Sequence, residues 1–293
     1  MQNLLIVGCG DVARRALPTL TSRYRVLALL RDPAKCALWR AAGAIPVPGD
    51  LDAPRSLARI AGLADLVLHL APPGDSGVID LRTRRLISAL SHSRSLPRRL
   101  VYISTSGVYG DCAGALIDET REARPQTPRA CRRLDAEQQL RAFGRRHQLN
   151  VSILRAPGIY AADRLPLERL RAGMPVLLAE DDVFTNHIHA DDLAAMAVAA
   201  LRRALPGRVY NACDDAPTKM ADYFDIVADR FGVPRAPRLA RDEARQRLSP
   251  ASWSFMSESR RLVNRRIKKE LQIRLRHPRV EDGVLAAWHE RNP

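Results

Sequence analysis

The stretch Leu4-Leu5-Ile6-Val7-Gly8-Cys9-Gly10-Asp11-Val12-Ala13 decides how the rest of the chain is read. Four consecutive apolar residues form a buried strand, and the glycines after them mark a tight turn into a helix. The spacing is G-x-G-x-x-A. In a dinucleotide-binding turn the first glycine permits the bend and the second admits backbone N–H groups to a pyrophosphate. The third small residue lets helix and strand pack closely. Gly8, Gly10 and Ala13 fill those places, with Asp11 and Val12 in the first helical turn. The helix predicted from Asp11 to Leu20 aims the positive end of its dipole at the phosphates.

One glycine triplet is a weak signal; its setting strengthens it. Apolar runs recur at Arg25 to Leu30, Ala44 to Val47, Ala64 to Leu70, Arg99 to Ser104, Asn150 to Arg155 and Val209 to Ala212, with helix-like segments between most of them. That alternation is the rhythm of a parallel sheet covered on both faces. It predicts an α/β chain of Rossmann type: a doubly wound, mainly parallel seven-strand sheet with a small C-terminal substrate lobe. The dinucleotide-binding core is expected over residues 1–160, completed by about 186–215, and the lobe over 161–185 and 216–293.

Composition narrows the class. The 293 residues are 46% hydrophobic, enough for one substantial core. The longest alanine-rich apolar run, Leu193 to Leu201, falls well short of the roughly 20 residues that cross a bilayer, so a soluble, cytoplasmic protein with no membrane partner is expected. Cys9, Cys36, Cys112, Cys131 and Cys213 are scattered without a C-x-x-C pair, which indicates neither zinc nor a disulfide framework, and no metal is expected. The formal charge of +15 invites a nucleic-acid reading, but the sequence has only four lysines and its arginines are dispersed along the whole length. The dense stretch from Arg260-Arg261 to Lys268-Lys269 reads as a solvated helix face rather than a nucleic-acid surface.

The end of the second strand selects the cofactor. An acidic residue there bonds the ribose 2′-hydroxyl of NAD, whereas an arginine pairs with the 2′-phosphate of NADP. Arg31 closes the strand and Asp32 follows it, which points to NADP, with NAD the alternative. Asp32 before Pro33 also has the form of a helix cap, and both readings stand together. Gly49-Asp50-Leu51 falls where such folds line the adenine, and Ala71 and Pro157 end later strands on the ligand side.

Ile103-Ser104-Thr105-Ser106-Gly107-Val108-Tyr109-Gly110 and Ile188-His189-Ala190-Asp191-Asp192-Leu193, taken with the N-terminal turn and Gly49-Asp50-Leu51, resemble the extended short-chain dehydrogenase/reductase superfamily, the group of nucleotide-sugar epimerases and dehydratases. The resemblance spans nearly the whole chain. It implies that Thr105, four residues before Tyr109, hydrogen-bonds the reacting oxygen. It also implies a Tyr-x-x-x-Lys pair on the next helix, where lysine lowers the pKa of a tyrosine that moves the proton.

This chain departs from that pattern. Aligning Leu134 and Glu137 with the family's K-L-x-x-E ending puts Arg133 in the lysine place and Arg129 in the tyrosine place. Arg133 can still bond a ribose, but neither guanidinium releases a proton near neutral pH. Tyr109, Tyr160, His187 and His189 are the candidate substitutes, each with an ordinary structural role as its competitor. Thr105 with Arg129 forms a candidate site for an oxyanion or an anionic substrate. A second departure is Gly158, which stands where the sugar-nucleotide enzymes carry a substrate-touching asparagine. The sequence therefore leaves two functions open: an atypical extended-family oxidoreductase or epimerase/dehydratase-like enzyme acting on a small molecule, or a catalytically silent NADP-binding sensor or regulatory module. A homodimer fits either.

Overall fold

The computed structural model describes residues 1–291. Its centre is a seven-stranded sheet of β1 (Asn3–Val7), β2 (Arg25–Leu30), β3 (Ile45–Pro48), β4 (Leu66–His69), β5 (Arg99–Thr105), β6 (Asn150–Ala156) and β7 (Val209–Asn211). The spatial order is β3-β2-β1-β4-β5-β6-β7, and every pairing is parallel. The order reverses at β1, so the connections on its two sides leave in opposite directions and open a crevice at the carboxyl ends of β1 and β4.

Apolar runs without polar alternation form these strands because both faces of the sheet are covered. Leu4 and Ile6 face a layer built from α1 (Asp11–Thr21) and α6 (Ala190–Arg203). Leu5 and Val7 point the other way, into a layer with α3 (Leu81–Leu90) and α4 (Pro128–His147). Ala13 and Ala16 are buried against the alanines of α6, and small side chains on both helices allow that close approach.

A second cluster makes the lobe. Leu167 and Leu170, Phe224 and Val227 of α7 (Met220–Phe231), and Val280 and Val284 of α11 (Val280–Arg291) pack together there. The stretch expected for this lobe is not used by it throughout. The short helix α10 (Arg265–Leu271) turns back and buries Ile267 and Leu271 beside α6 on the central sheet's own layer. Two-residue strand pairs latch the parts together, with Leu116–Ile117 beside Arg261–Leu262 and Phe184–Thr185 beside Thr218–Lys219. Among the described residues no helix is long and apolar enough to cross a membrane.

One buried ion pair ties α4 to the sheet. Arg155 on β6 donates from Nε and Nη2 to the two carboxylate oxygens of Glu137, at 3.1 and 2.7 Å, and both side chains are almost fully buried. The guanidinium also lies over the Tyr109 ring at 4.7 Å, and the Tyr109 hydroxyl donates to Asn211 on β7 at 2.8 Å. Removing one member of a buried pair strands the other charge without solvent. Glu137→Ala should therefore cost about 3–5 kcal/mol, read as a lower urea midpoint with an unchanged slope. A loss below about 1 kcal/mol, the scale of an exposed pair, would show that the pair does not hold the helix.

Candidate functional site

The crevice begins at Gly8. Its φ is +97°, and a Cβ built there would stand 2.2 Å from the backbone nitrogen of Ala71. Only glycine serves, both for the left-handed backbone and for the contact with the end of β4. Gly10 differs: a Cβ built on it meets no atom of the described residues within 4 Å. It is also the N-cap of α1 and brings no side-chain acceptor, so the first-turn amides of Asp11, Val12 and Ala13 are left for an outside anion. Open space above a glycine at an uncapped helix start is the cradle a pyrophosphate requires.

A cavity of about 320 Å³ lies at this turn, lined among others by Gly8, Gly10, Arg31, Asp50, Leu51 and Ala71. The structure brings these six together on one lining. Ala13 is buried under the turn, and Val12 packs on the same layer. Asp11 turns along its helix to Arg15, with Nε to Oδ1 at 3.0 Å. Pro157 lies beyond the residues that line the cavity, between β6 and the short strand Gly158–Tyr160. Asp32 accepts through Oδ1 from the Ala34 amide at 3.0 Å and caps the short helical turn after it, and both it and Arg31 are exposed on the cavity lining.

Sequence reading missed Lys35, Pro72 and Arg82 on the same lining. Arg82 comes from the start of α3, is held by Asp52 (Nε to Oδ1 3.0 Å) and donates to the carbonyls of Pro72 and Pro73. No spacing rule relates α3 to the glycine turn. The available signal was the Pro72-Pro73-Gly74 break, which forces the chain back over the crevice. Cys9, although inside the turn, is inert: burial pushes its thiol up to about 12.

Farther along the carboxyl edge, Arg133 reaches under the crevice from α4. Its Nη1 donates to the Tyr102 hydroxyl at 3.0 Å and to the Ile103 carbonyl at 2.9 Å. The guanidinium is thus fixed at the end of β5 rather than waving in solvent. Thr105, on the same strand end, accepts from the Gly107 amide at 3.2 Å through Oγ1 and is half-buried. Arg129 begins the helix one turn earlier, with its guanidinium over the Phe255 ring at 4.4 Å. Desolvation lowers its pKa; Glu258 opposes this, and the charges of Arg133, Arg132 and Arg260 add to the lowering. Several guanidiniums therefore gather around Arg129, with the Glu258 carboxylate among them.

The candidate proton donors are placed elsewhere. Tyr109 is buried, spends its hydroxyl on Asn211, and is pushed up to about 12 by burial, which makes it part of the scaffold rather than of the cleft chemistry. Tyr160 donates to the Arg279 carbonyl at 3.3 Å, and burial raises its pKa further still. His187 and His189 are buried, and desolvation lowers them to about 3 and about 4. His189 rather than an aspartate caps α6, its Nδ1 accepting from the Asp191 amide at 3.3 Å. Asp192 instead accepts from the backbone amides of Arg276 and His277. Asn186 is a strut, donating to the Arg260 carbonyl and accepting from the Leu262 amide.

The two glycines give a clean test. Gly10→Ala has room and a permitted backbone, so the variant should melt within a few degrees of the parent yet lose at least tenfold in dinucleotide affinity by calorimetry. Gly8→Ala should fail to fold, read as loss of the cooperative melt. Equal behaviour of the two would contradict the assignment of the crevice.

Comparison with known proteins agrees with this geometry. The model of the NAD dependent epimerase/dehydratase family matches residues 4–213. Human dTDP-D-glucose 4,6-dehydratase is 24% identical over an alignment of 166 residues that covers 50% of this chain and 47% of that protein. The chain spans about half the length of the curated relatives it matches. Among solved structures, a conserved protein of unknown function from Silicibacter pomeroyi superposes with a TM-score of 0.80 at 30% identity, over 99% of both chains. UDP-glucuronic acid 4-epimerase from Bacillus cereus, solved with NAD, gives 0.76 at 19% identity over 98% of this chain and 97% of its own. With the glycine turn, the strand order and a match over residues 4–213, this chain belongs to the NAD dependent epimerase/dehydratase family.

Proposed function

We propose that the protein is a dinucleotide-dependent oxidoreductase or epimerase-like enzyme that prefers NADP and acts on a small anionic substrate. The observation that carries this reading is Arg133, a guanidinium locked at the end of β5 by Ile103 and Tyr102 in the place of the family's ribose-holding lysine. A bound nicotinamide would supply or accept hydride. The chain's own residues would do the rest. Gly10 and the α1 amides cradle the pyrophosphate, and Arg31, with Lys35 on the same lining, meets a 2′-phosphate.

Thr105 accepts from Gly107 and keeps its own proton to donate toward a substrate oxygen. Arg129 contributes fixed positive charge where negative charge would develop, a role that requires no proton release. The edge formed by Arg129, Arg132 and Arg133, with Arg260 offset by Glu258, supports an anionic substrate. The dispersed basic residues serve that field rather than a nucleic acid, and a soluble cytoplasmic protein, able to pair as a homodimer, fits the whole.

The second reading, a silent NADP-binding module, is favoured by one specific observation. Both tyrosines that could replace the missing proton carrier are buried and committed, Tyr109 to Asn211 and Tyr160 to Arg279. Both readings share the dinucleotide.

Calorimetry separates the residues. NADPH should bind at least tenfold tighter than NADH, a difference of about 1.4 kcal/mol or more. Arg31→Ala should remove that preference and leave NADH binding unchanged, whereas Arg133→Ala should weaken both dinucleotides together. Tighter NADH binding, or an Arg31→Ala variant that still discriminates, would contradict the NADP assignment.

A further inference from the structure

Outside the lining of the cavity at Gly8, three side chains converge that the cofactor reading does not use. His189 caps α6, Asp191 follows in its first turn, and His277 arrives from the segment before α11. One potential ligand atom from each lies within 4.8 Å of the others. The His189 Nδ1 and Asp191 Oδ2 are 3.7 Å apart, and the two imidazole rings have centroids 4.0 Å apart. We propose that His189, Asp191 and His277 form a site for a borderline divalent cation of the Zn²⁺ class.

The distances suit that ion. Bonds of about 2.0–2.1 Å at tetrahedral angles put neighbouring ligand atoms roughly 3.3–3.5 Å apart, so the 3.7 Å pair needs a shift of only a few tenths of an ångström. Two imidazoles and a carboxylate are the donor mixture Zn²⁺ accepts, and three protein ligands leave the fourth position to water.

The surroundings hold the ligands in place. Asp192 accepts from the amides of both Arg276 and His277, at 2.8 and 3.0 Å, which fixes the loop that delivers the third ligand. Arg15 takes the other oxygen of Asp191, Oδ1, at 2.7 Å and leaves Oδ2 for the ion. Orienting a ligating carboxylate through its second oxygen is a usual outer-shell arrangement.

The Asp191 amide and the charges of Arg15 and Arg276 oppose the ion. The Asp191 amide shares the His189 Nδ1 lone pair through a long bond of 3.3 Å, which binding would give up. Arg15 and Arg276 bring positive charge near Asp191, and the carboxylates of Asp11, Asp163 and Asp192 offset it. A bound cation would staple the loop leading to α11, and with it the lobe, onto the α1 and α6 layer. The inference stands without the dinucleotide reading, since none of the three residues lines the cofactor cavity.

The experiment uses the full chain freed of metal with EDTA. Zn²⁺ titrated by calorimetry should bind one equivalent per chain with a Kd in the micromolar range or tighter, and should raise the melting temperature. Co²⁺ as a spectroscopic probe should show the intense visible bands of four-coordinate cobalt. His277→Ala, at a half-buried position, should weaken Zn²⁺ by at least tenfold, while His92→Ala at an exposed position should leave it unchanged. Asp191→Asn provides an independent second variant, with circular dichroism confirming the fold of each. No saturable Zn²⁺ uptake, or Co²⁺ that keeps its pale six-coordinate spectrum, would overturn the proposal, as would unweakened binding in both ligand variants.

Discussion

The contact of Gly8 with the Ala71 backbone is the constraint on which the rest of the structure depends. A Cβ 2.2 Å from a backbone nitrogen cannot be accommodated by side-chain motion, so the end of β1 and the end of β4 approach this closely only with glycine between them. That approach brings the start of α1 directly over the carboxyl edge of the sheet. It turns the reversal of strand order at β1 from a topological fact into a usable crevice, with uncapped amides on one wall and Arg31 on another.

Charge organises the remainder. The chain sorts its arginines into two kinds. Arg155 is buried and neutralised by Glu137, and its task is mechanical, linking α4, Tyr109 and the sheet edge. Arg129 and Arg133 are presented at the cleft by the first turns of the same helix, with Arg133 anchored through backbone and phenol oxygens rather than through a carboxylate. A guanidinium satisfied by neutral acceptors keeps its full charge for a ligand. Neither guanidinium can release a proton near neutral pH, so what Arg129 and Arg133 can offer is fixed positive charge.

The sheet was legible in the sequence because buried parallel strands read as unbroken apolar runs, and each predicted strand lies within a residue or two of its observed bounds. The joining of Gly8, Gly10, Asp50 and Leu51 on one cavity lining was accessible from sequence too, since they owe their places to local turns. What sequence left hidden depends on distant chain segments. The fate of Tyr109 is set by Asn211, 102 residues away, and that of Tyr160 by a carbonyl at Arg279. Arg82 reaches the cavity through a loop whose path no period encodes. The cap of α6 is the His189 ring, while Asp192 in its first turn accepts from the distant amides of Arg276 and His277. Helix α10 returns to the core because Ile267 and Leu271 find the α6 layer, a match invisible from a short, arginine-rich stretch.

A crystal structure of the protein with NADPH shows where the dinucleotide sits. The pyrophosphate should lie above Gly10 within hydrogen-bond reach of the α1 amides, the 2′-phosphate against Arg31, and the nicotinamide ribose beside Arg133. A saturated complex with the dinucleotide bound away from the Gly8 turn, or with its 2′-phosphate pointing away from Arg31 into solvent, would contradict this placement.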